Sequence, residues 1–213
     1  MKPTSIAVHF ELDGWALFQA LLEPVPGAAA SEALAGLRRD VAARVRAELE
    51  LATLAGHPAV AALRRLFRAA GCDPTRYRPS SEALLRRLLK GSELPAIAPL
   101  VDFNNCLSAC LAVPCCVMDE ETVAGPFVLR AGAEGESYES LKGPFNLAGK
   151  PLLVDAHGPC DAPITGSRRV MVRQETKRAW LVAYLPAGVV DEETARAELE
   201  ALIAAAPVVR IVE

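Results

Sequence analysis

Aromatic residues make up only 5% of this chain. A core built on stacked rings is therefore excluded, and tightly packed aliphatic helices are expected. No uninterrupted apolar run approaches the roughly 20 residues that a membrane helix needs. The N-terminal MKPTSIAVHFELDG has no apolar signal core followed by a small-residue cleavage site. We expect a cytoplasmic protein with no membrane partner. The net charge of −3 argues against bulk electrostatic binding of nucleic acid.

Several chemistries lack their signatures. There is no Walker loop, no dinucleotide fingerprint and no G-x-S-x-G elbow, and AGAEGES (131–137) lacks the strand–turn–helix context of a phosphate cradle. Six cysteines (Cys72, Cys106, Cys110, Cys115, Cys116 and Cys160) include no C-x-x-C pair, and adjacent cysteines rarely bind one ion. Free buried thiols are expected, with no metal and no cofactor. A triad would need one of three histidines. His9 and His57 read as structural or surface residues, while His157 lies in a Gly/Pro-rich loop that could border a pocket.

What is present describes a globular protein. Hydrophobic residues at 52% and charged residues at 23% supply ample core material. Alternation in SIAVHFEL (5–12) puts Ile6, Val8, Phe10 and Leu12 on one side of a strand. Asp13-Gly14 reads as a hairpin turn into WALFQALL, with a short helix as the alternative for that run. Ser31 is placed to cap a helix running to about residue 55, with an apolar stripe of Leu34, Leu37, Val41, Val45 and Leu49. Pro58 opens a second helix that stops at Gly71, and Ser80-Ser81 caps a third that ends at Gly91. A further helix spans Asn104–Leu111. PFVLRAG, PLLVDAHG and AWLVAYLP then read as strands, followed by the amphipathic helix DEETARAELEALIAAA and the short strand VVRIVE. The fold class is α+β: a mostly helical N-terminal part packed on a mixed or antiparallel sheet.

Two regions carry polar side chains that ask for a role. LVDFNNCLSACLAVPCCVMD (100–119) embeds Asp102, Asn104, Asn105 and Ser108 in an apolar run. Burying such groups unpaired costs about 1–3 kcal/mol each. They either tie down a helix start or line a pocket. Arg64, Arg65, Arg68, Arg76, Arg78, Arg86, Arg87 and Lys90 crowd a short stretch. They read as solvated helix faces or, if both helices turn the same way, as phosphate contacts.

YRPSSEALLRRLLKG (77–91) and APLVDFNNCLSACLAVP (98–114) resemble blocks of the B3/B4 domain. VLRAGAEGE, LLVDAHG and VRQETKRAWLVAYLP follow in that family's order. The B3/B4 domain is the editing domain of the phenylalanyl-tRNA synthetase beta subunit, and it also occurs free-standing. The resemblance covers residues 65–186. It implies a single B3/B4-type unit over 1–213, with an N-terminal extension (1–64) and a C-terminal helix–strand (187–213). It also implies hydrolysis of a mischarged aminoacyl-tRNA ester by water, the terminal ribose hydroxyl assisting, with no covalent nucleophile.

Residue by residue, the resemblance places Asn105 on the helix over the pocket and Gly166 where a backbone amide faces the substrate carbonyl. Ser167 replaces a second glycine, and Asp102, Ser108 and Pro114 shape the same wall, with Asp102 expected to cap the helix. Thr165 would bind the ester or an ordered water, and His157 would border the site. Arg76, Arg78, Arg86 and Arg87 would meet the tRNA. Cys116 stands where the synthetase has histidine, and Val182 where it has the glutamate that recognises the tyrosine hydroxyl. An apolar or small acyl group is thus expected in place of tyrosine.

The leading expectation is a trans-editing deacylase acting at the acceptor end of tRNA. The alternative is a silent module that binds tRNA or an amino-acid-like ligand. A covalent enzyme pairing Cys116 with His157 comes third.

Overall fold

Period-two apolar runs and proline-punctuated amphipathic segments set the elements of this α+β chain. The computed structural model describes residues 5–25, 27 and 30–212. Strands β1 (Val8–Phe10) and β2 (Trp15–Pro24) precede helices α1 (Ala30–Glu48), α2 (Pro58–Ala69), α3 (Ser80–Leu89) and α4 (Pro99–Leu111). Then come β3 (Cys115–Asp119), β4 (Phe127–Ala131), β5 (Ser137–Ser140), β6 (Gly143–Asn146), β7 (Pro151–Asp155), β8 (Gly158–Ala162), β9 (Thr165–Gly166) and β10 (Ala179–Pro186). Helix α5 (Glu192–Ala205) and β11 (Val209–Ile211) close the chain.

The strands form a five-stranded sheet in the order β1-β4-β7-β8-β9, a four-stranded sheet β11-β2-β10-β3, and a β5-β6 hairpin. All pairs are antiparallel except β1 with β4. Every residue of β10 is buried, and one core runs from Trp15 through Phe67, Leu107 and Tyr184 to Val209. Fully burying each such large side chain contributes about 1.5–3 kcal/mol.

The expected β1–β2 hairpin does not form. β1 pairs with β4 in one sheet, Val8 opposite Phe127. β2 sits in the other sheet between β10 and β11. The reason is burial: β2 is largely buried and needs a neighbour on each edge, whereas β1 is half-exposed or exposed throughout. Gly14, at φ +78°, turns the chain between the sheets, and a Cβ there would stand 2.8 Å from Leu66 Cδ2. Gln19 ties the sheets together, accepting from Ile6 N–H at 3.0 Å and donating to Ile6 O at 2.9 Å.

Helix α1 stops at Glu48, short of residue 55, and a 3₁₀ turn at Leu54–Gly56 follows. Leu54 lies nine residues beyond Val45, so at about 100° per residue a continued helix would point it opposite the apolar stripe. Breaking the helix lets Leu54 bury to 1% exposure. Ser31 lies inside α1, whose first residue is Ala30; residue 29, at the cap position, is outside the described residues.

Helix α2 begins at Pro58 and gives way to Gly71 at φ +92°, as the punctuation predicts. At α3 the cap position belongs to Pro79, with Ser80 and Ser81 already helical. Helix α4 starts five residues earlier than expected, because Pro99 occupies its first turn as an opener. Asp102 does cap it: its Oδ1 accepts from Ile97 N–H at 2.7 Å and Ala98 N–H at 3.2 Å, and its Oδ2 pairs with Arg38.

Candidate functional site

The polar groups of α4 divide by helical register. Asn104 and Ser108, four residues apart, share a face, and Asn105 is turned about 100° from Asn104. Ser108 Oγ donates to Val113 O at 2.7 Å, which holds the turn after α4. Asn104 Nδ2 donates to Cys115 O at 3.2 Å, at the start of β3. That carbonyl can only accept, so the amide orientation is set and Oδ1 faces away. Oδ1 is buried and has no hydrogen-bond partner among the described residues.

Beside Asn104 lies a cavity of about 170 Å³. Its walls come from α4 (Val101, Asn104), β3 (Cys115 to Met118), the β8–β9 turn and the segment Val170–Val172, with Leu141 from the β5–β6 tip at the mouth. At about 30 Å³ per water this is room for five or six waters. That is the scale of a single amino-acid-sized group. Among the described residues no lysine, arginine or histidine lines it.

Asp161 is the acid in this wall. It sits on β8 opposite Gly166 of β9, at 3% exposure. Its Oδ2 accepts from Tyr184 Oη at 2.5 Å, and the Cys116 thiol and Ala162 N–H also donate to the carboxylate. Burial nevertheless dominates and pushes the Asp161 carboxyl up to about 7. The same burial, with Asp161 close by, raises Cys116 well above its ordinary value.

Gly166 is there for space. A Cβ on it would stand 3.2 Å from Asp161 Oδ1, tight against the carboxylate. The segment is pinned on both sides. Thr165 O accepts from Tyr138 Oη, and Arg169 binds the buried Asp155 at 2.8 Å while its backbone N–H donates to Ser167 Oγ at 3.2 Å.

Thr165, Gly166, Ser167 and Cys116 thus come together at the cavity. Four expectations are corrected. Asn105 lies outside the lining because the helix presents Asn104 instead. Ser108 is buried behind the wall, committed to Val113. Val182, on the central strand β10, is opposite Cys116 in register but wholly buried and off the cavity surface. His157 is exposed in the β7–β8 turn and does not line the cavity, so no Cys116–His157 pair is assembled. Val182 therefore does not select an apolar acyl group, and Asp161 places an acceptor in the wall.

Asp161 was not singled out in the sequence, and Asn104 was noted in the 100–119 run without a place of its own in the pocket. Asp161 left one signal: an acid in a strand-forming run with no lysine or arginine within six residues on either side.

The raised thiol also answers the covalent reading, because the thiolate is the nucleophile. Iodoacetamide at neutral pH is expected to leave Cys116 unmodified in the native protein while labelling it fully in denaturant. Mass spectrometry of the Cys115–Cys116 peptide checks this, and rapid native labelling at Cys116 would restore the nucleophile.

The arginine face is divided as well. Glu82, with 0% exposure, takes Arg64 Nε and Arg86 Nε at 2.8 Å each, and Arg78 Nε approaches it at 3.4 Å. Arg76, over the Tyr77 ring at 5.2 Å, and Arg87 are exposed. Among the described residues no group of three or more metal-type side chains gathers, all six cysteines are free, and no helix is long and apolar enough to cross a membrane.

Comparison with known proteins adds three findings. A family model described as the B3/4 domain matches residues 62–201. The chain is similar to an N-terminal fragment of the phenylalanyl-tRNA synthetase beta subunit from Pyrococcus horikoshii, with 14% identity and a TM-score of 0.49 over 99% of this chain. It spans about half, 51%, of that fragment. No curated protein matches.

Proposed function

Because this chain belongs to the B3/4 domain family, we propose that it is a trans-acting deacylase that hydrolyses a mischarged aminoacyl-tRNA ester. The observation that carries this reading is the cavity of about 170 Å³, sized for one aminoacyl group and walled by Thr165, Gly166 and Ser167.

In this reading the acyl group enters between α4 and β3, and its ester lies against the Thr165–Ser167 segment. Water attacks the carbonyl, with the terminal ribose hydroxyl assisting, and the protein contributes position and exclusion of bulk solvent. The neutral Cys116 thiol leaves no covalent step to invoke. The nucleoside lies outside, in the neighbouring groove of about 550 Å³ at the start of α4, which shares the Val172 wall and is edged by Ile97 and Arg173. Ser80 of α3 also lines the cavity. The Arg64–Arg78–Arg86 cluster around Glu82 begins two residues from Ser80, and in this reading the exposed Arg76 and Arg87 meet phosphates.

Binding without hydrolysis is the second reading. It is favoured by the absence of histidine and glutamate from the lining.

Deacylation of a panel of mischarged tRNAs separates the two. Selective release is expected for one or a few pairs, at least about tenfold slower in Gly166→Val, which fills the space beside Asp161. The Arg76→Ala/Arg87→Ala variant is expected to raise KM with kcat unchanged, the effect shrinking as salt rises. No release above buffer for any pair would end the hydrolase reading and leave the binding module.

A further inference from the structure

Two buried side chains of the cavity lining, Asn104 and Asp161, have acceptor capacity to spare. Asn104 Oδ1 has no partner among the described residues, and Asn104 is 5% exposed. Asp161 commits Oδ2 to Tyr184, and its Oδ1 lies beside Gly166, a residue of the cavity wall. The two groups converge on adjacent residues of β3: Asn104 holds the Cys115 carbonyl, and Asp161 takes the Cys116 thiol.

A buried acceptor without a donor carries a desolvation penalty, and a buried carboxylate without a cation carries a larger one. Among the described residues no basic side chain lines the cavity, so a counter-charge for the ionised Asp161 comes with the ligand. A hydroxyl group supplies one donor and no charge. An ammonium supplies three donors and the charge together.

We propose that the cavity recognises the free α-ammonium group of its aminoacyl substrate, held between Asn104 Oδ1 and the Asp161 carboxylate, and so selects amino acids with an unblocked amine. This rests on the reading of the cavity as an aminoacyl-ester site. Gly166 follows from it, since a side chain there would crowd Asp161 Oδ1 and close the approach. Chains carrying a formyl, acetyl or peptidyl group on that nitrogen bring no charge and one N–H donor in place of three. Peptidyl-tRNA and initiator-type tRNA would be left intact.

The test uses the full chain and amides that cannot be hydrolysed as esters. The probes are 3′-deoxy-3′-(L-alanylamino)adenosine and its propionyl counterpart, in which hydrogen replaces the amine, with the valyl and isovaleryl pair beside them. Binding is measured by titration calorimetry. In the wild-type protein the amine forms are expected to bind at least about tenfold more tightly than the des-amino forms. That preference is expected to collapse in Asp161→Asn and to weaken in Asn104→Ala. Equal binding of the amine and des-amino forms to the wild-type protein would overturn the ammonium assignment while leaving the acyl cavity in place. Absence of binding by every probe would overturn both. The wild-type comparison decides the matter even if a variant fails to fold.

Discussion

Replacing Glu82 with alanine is expected to cost about 3–5 kcal/mol of stability, the range found when one member of a buried ion pair is removed. Glu82 has no exposed surface, and its two oxygens accept from Arg64 Nε and Nη2 and from Arg86 Nε, all at 2.8 Å. The pairing with Arg64 joins α3 to α2, so removing the carboxylate loosens an interhelical tie as well as stranding guanidinium groups. The Arg64 and Arg86 hydrogen bonds hold the Glu82 carboxyl below its ordinary value, against the opposing effect of burial. The sign follows for acid: stability supplied by this group is present above the unfolded-state value near 4.5 and declines as pH falls through the depressed folded value. Urea denaturation of Glu82→Ala and Glu82→Gln checks this. Glutamine keeps the shape and part of the hydrogen bonding, so it is expected to lose less. A loss below about 1 kcal/mol in the alanine variant would make the cluster a surface feature in energetic terms.

Asp161→Asn is expected to stabilise the protein at pH 8 and to do so less and less as pH falls. The Asp161 carboxyl is raised from 3.8 to about 7 in the fold. Between those values the folded state holds a proton that the unfolded state has released. Stability therefore falls as pH rises from about 4 to about 7, then levels off. At about 1.4 kcal/mol per pH unit, the penalty for charging Asp161 reaches about 4 kcal/mol at most. The groups facing it are Tyr184 from β10, Cys116 from β3, Cys160 from its own strand and Tyr138 from β5. All are neutral in this range, because burial raises each of them. None offers a counter-charge. Melting temperatures of both proteins across pH 4–9 are expected to diverge with rising pH. Parallel curves would mean that Asp161 is charged in the fold already. The asparagine side chain keeps the shape and can still accept from Tyr184, and the pH dependence of the difference reports the charge. A gain in stability that accompanies a loss of ligand affinity is the pattern of a functional acid.

Local punctuation was easy to read, and long-range pairing was not. Pro58 and Gly71 delimited α2 because each acts within one turn of itself. The apolar run of β10 was visible because every residue of it is buried. Gly166 and Ser167 were brought forward by resemblance and Thr165 as their neighbour, and their clustering at the cavity follows from a short β8–β9 turn. Choosing Asn104 over Asn105 required knowing which side of α4 meets β3, and a step of about 100° decides it. The role of Asp161 depends on Tyr184, 23 residues on, and on Cys116, far back in the chain. Neither partner has a local signature. Strand β3, which follows Pro114 directly, owes its form to pairing with β10 from Ala179 to Ala183.

The place of β2 between β10 and β11 has a consequence for how the molecule is made. Leu22 of β2 pairs with Ala179 of β10 on one edge and with Ile211 of β11 on the other. At a synthesis rate of about 5–20 residues per second, β2 waits roughly 8–30 s for β10 to be synthesised. Throughout that time an apolar strand with two open edges is held in a nascent chain, which is a template for association with other chains. The helices α1 to α4 are made meanwhile and can form locally, but the β2–β10–β3 sheet closes only once residues 179–186 are available. Pairing across so long a sequence separation is slow to form, and chaperone occupancy is expected on nascent chains from which β2 has emerged and β10 has not.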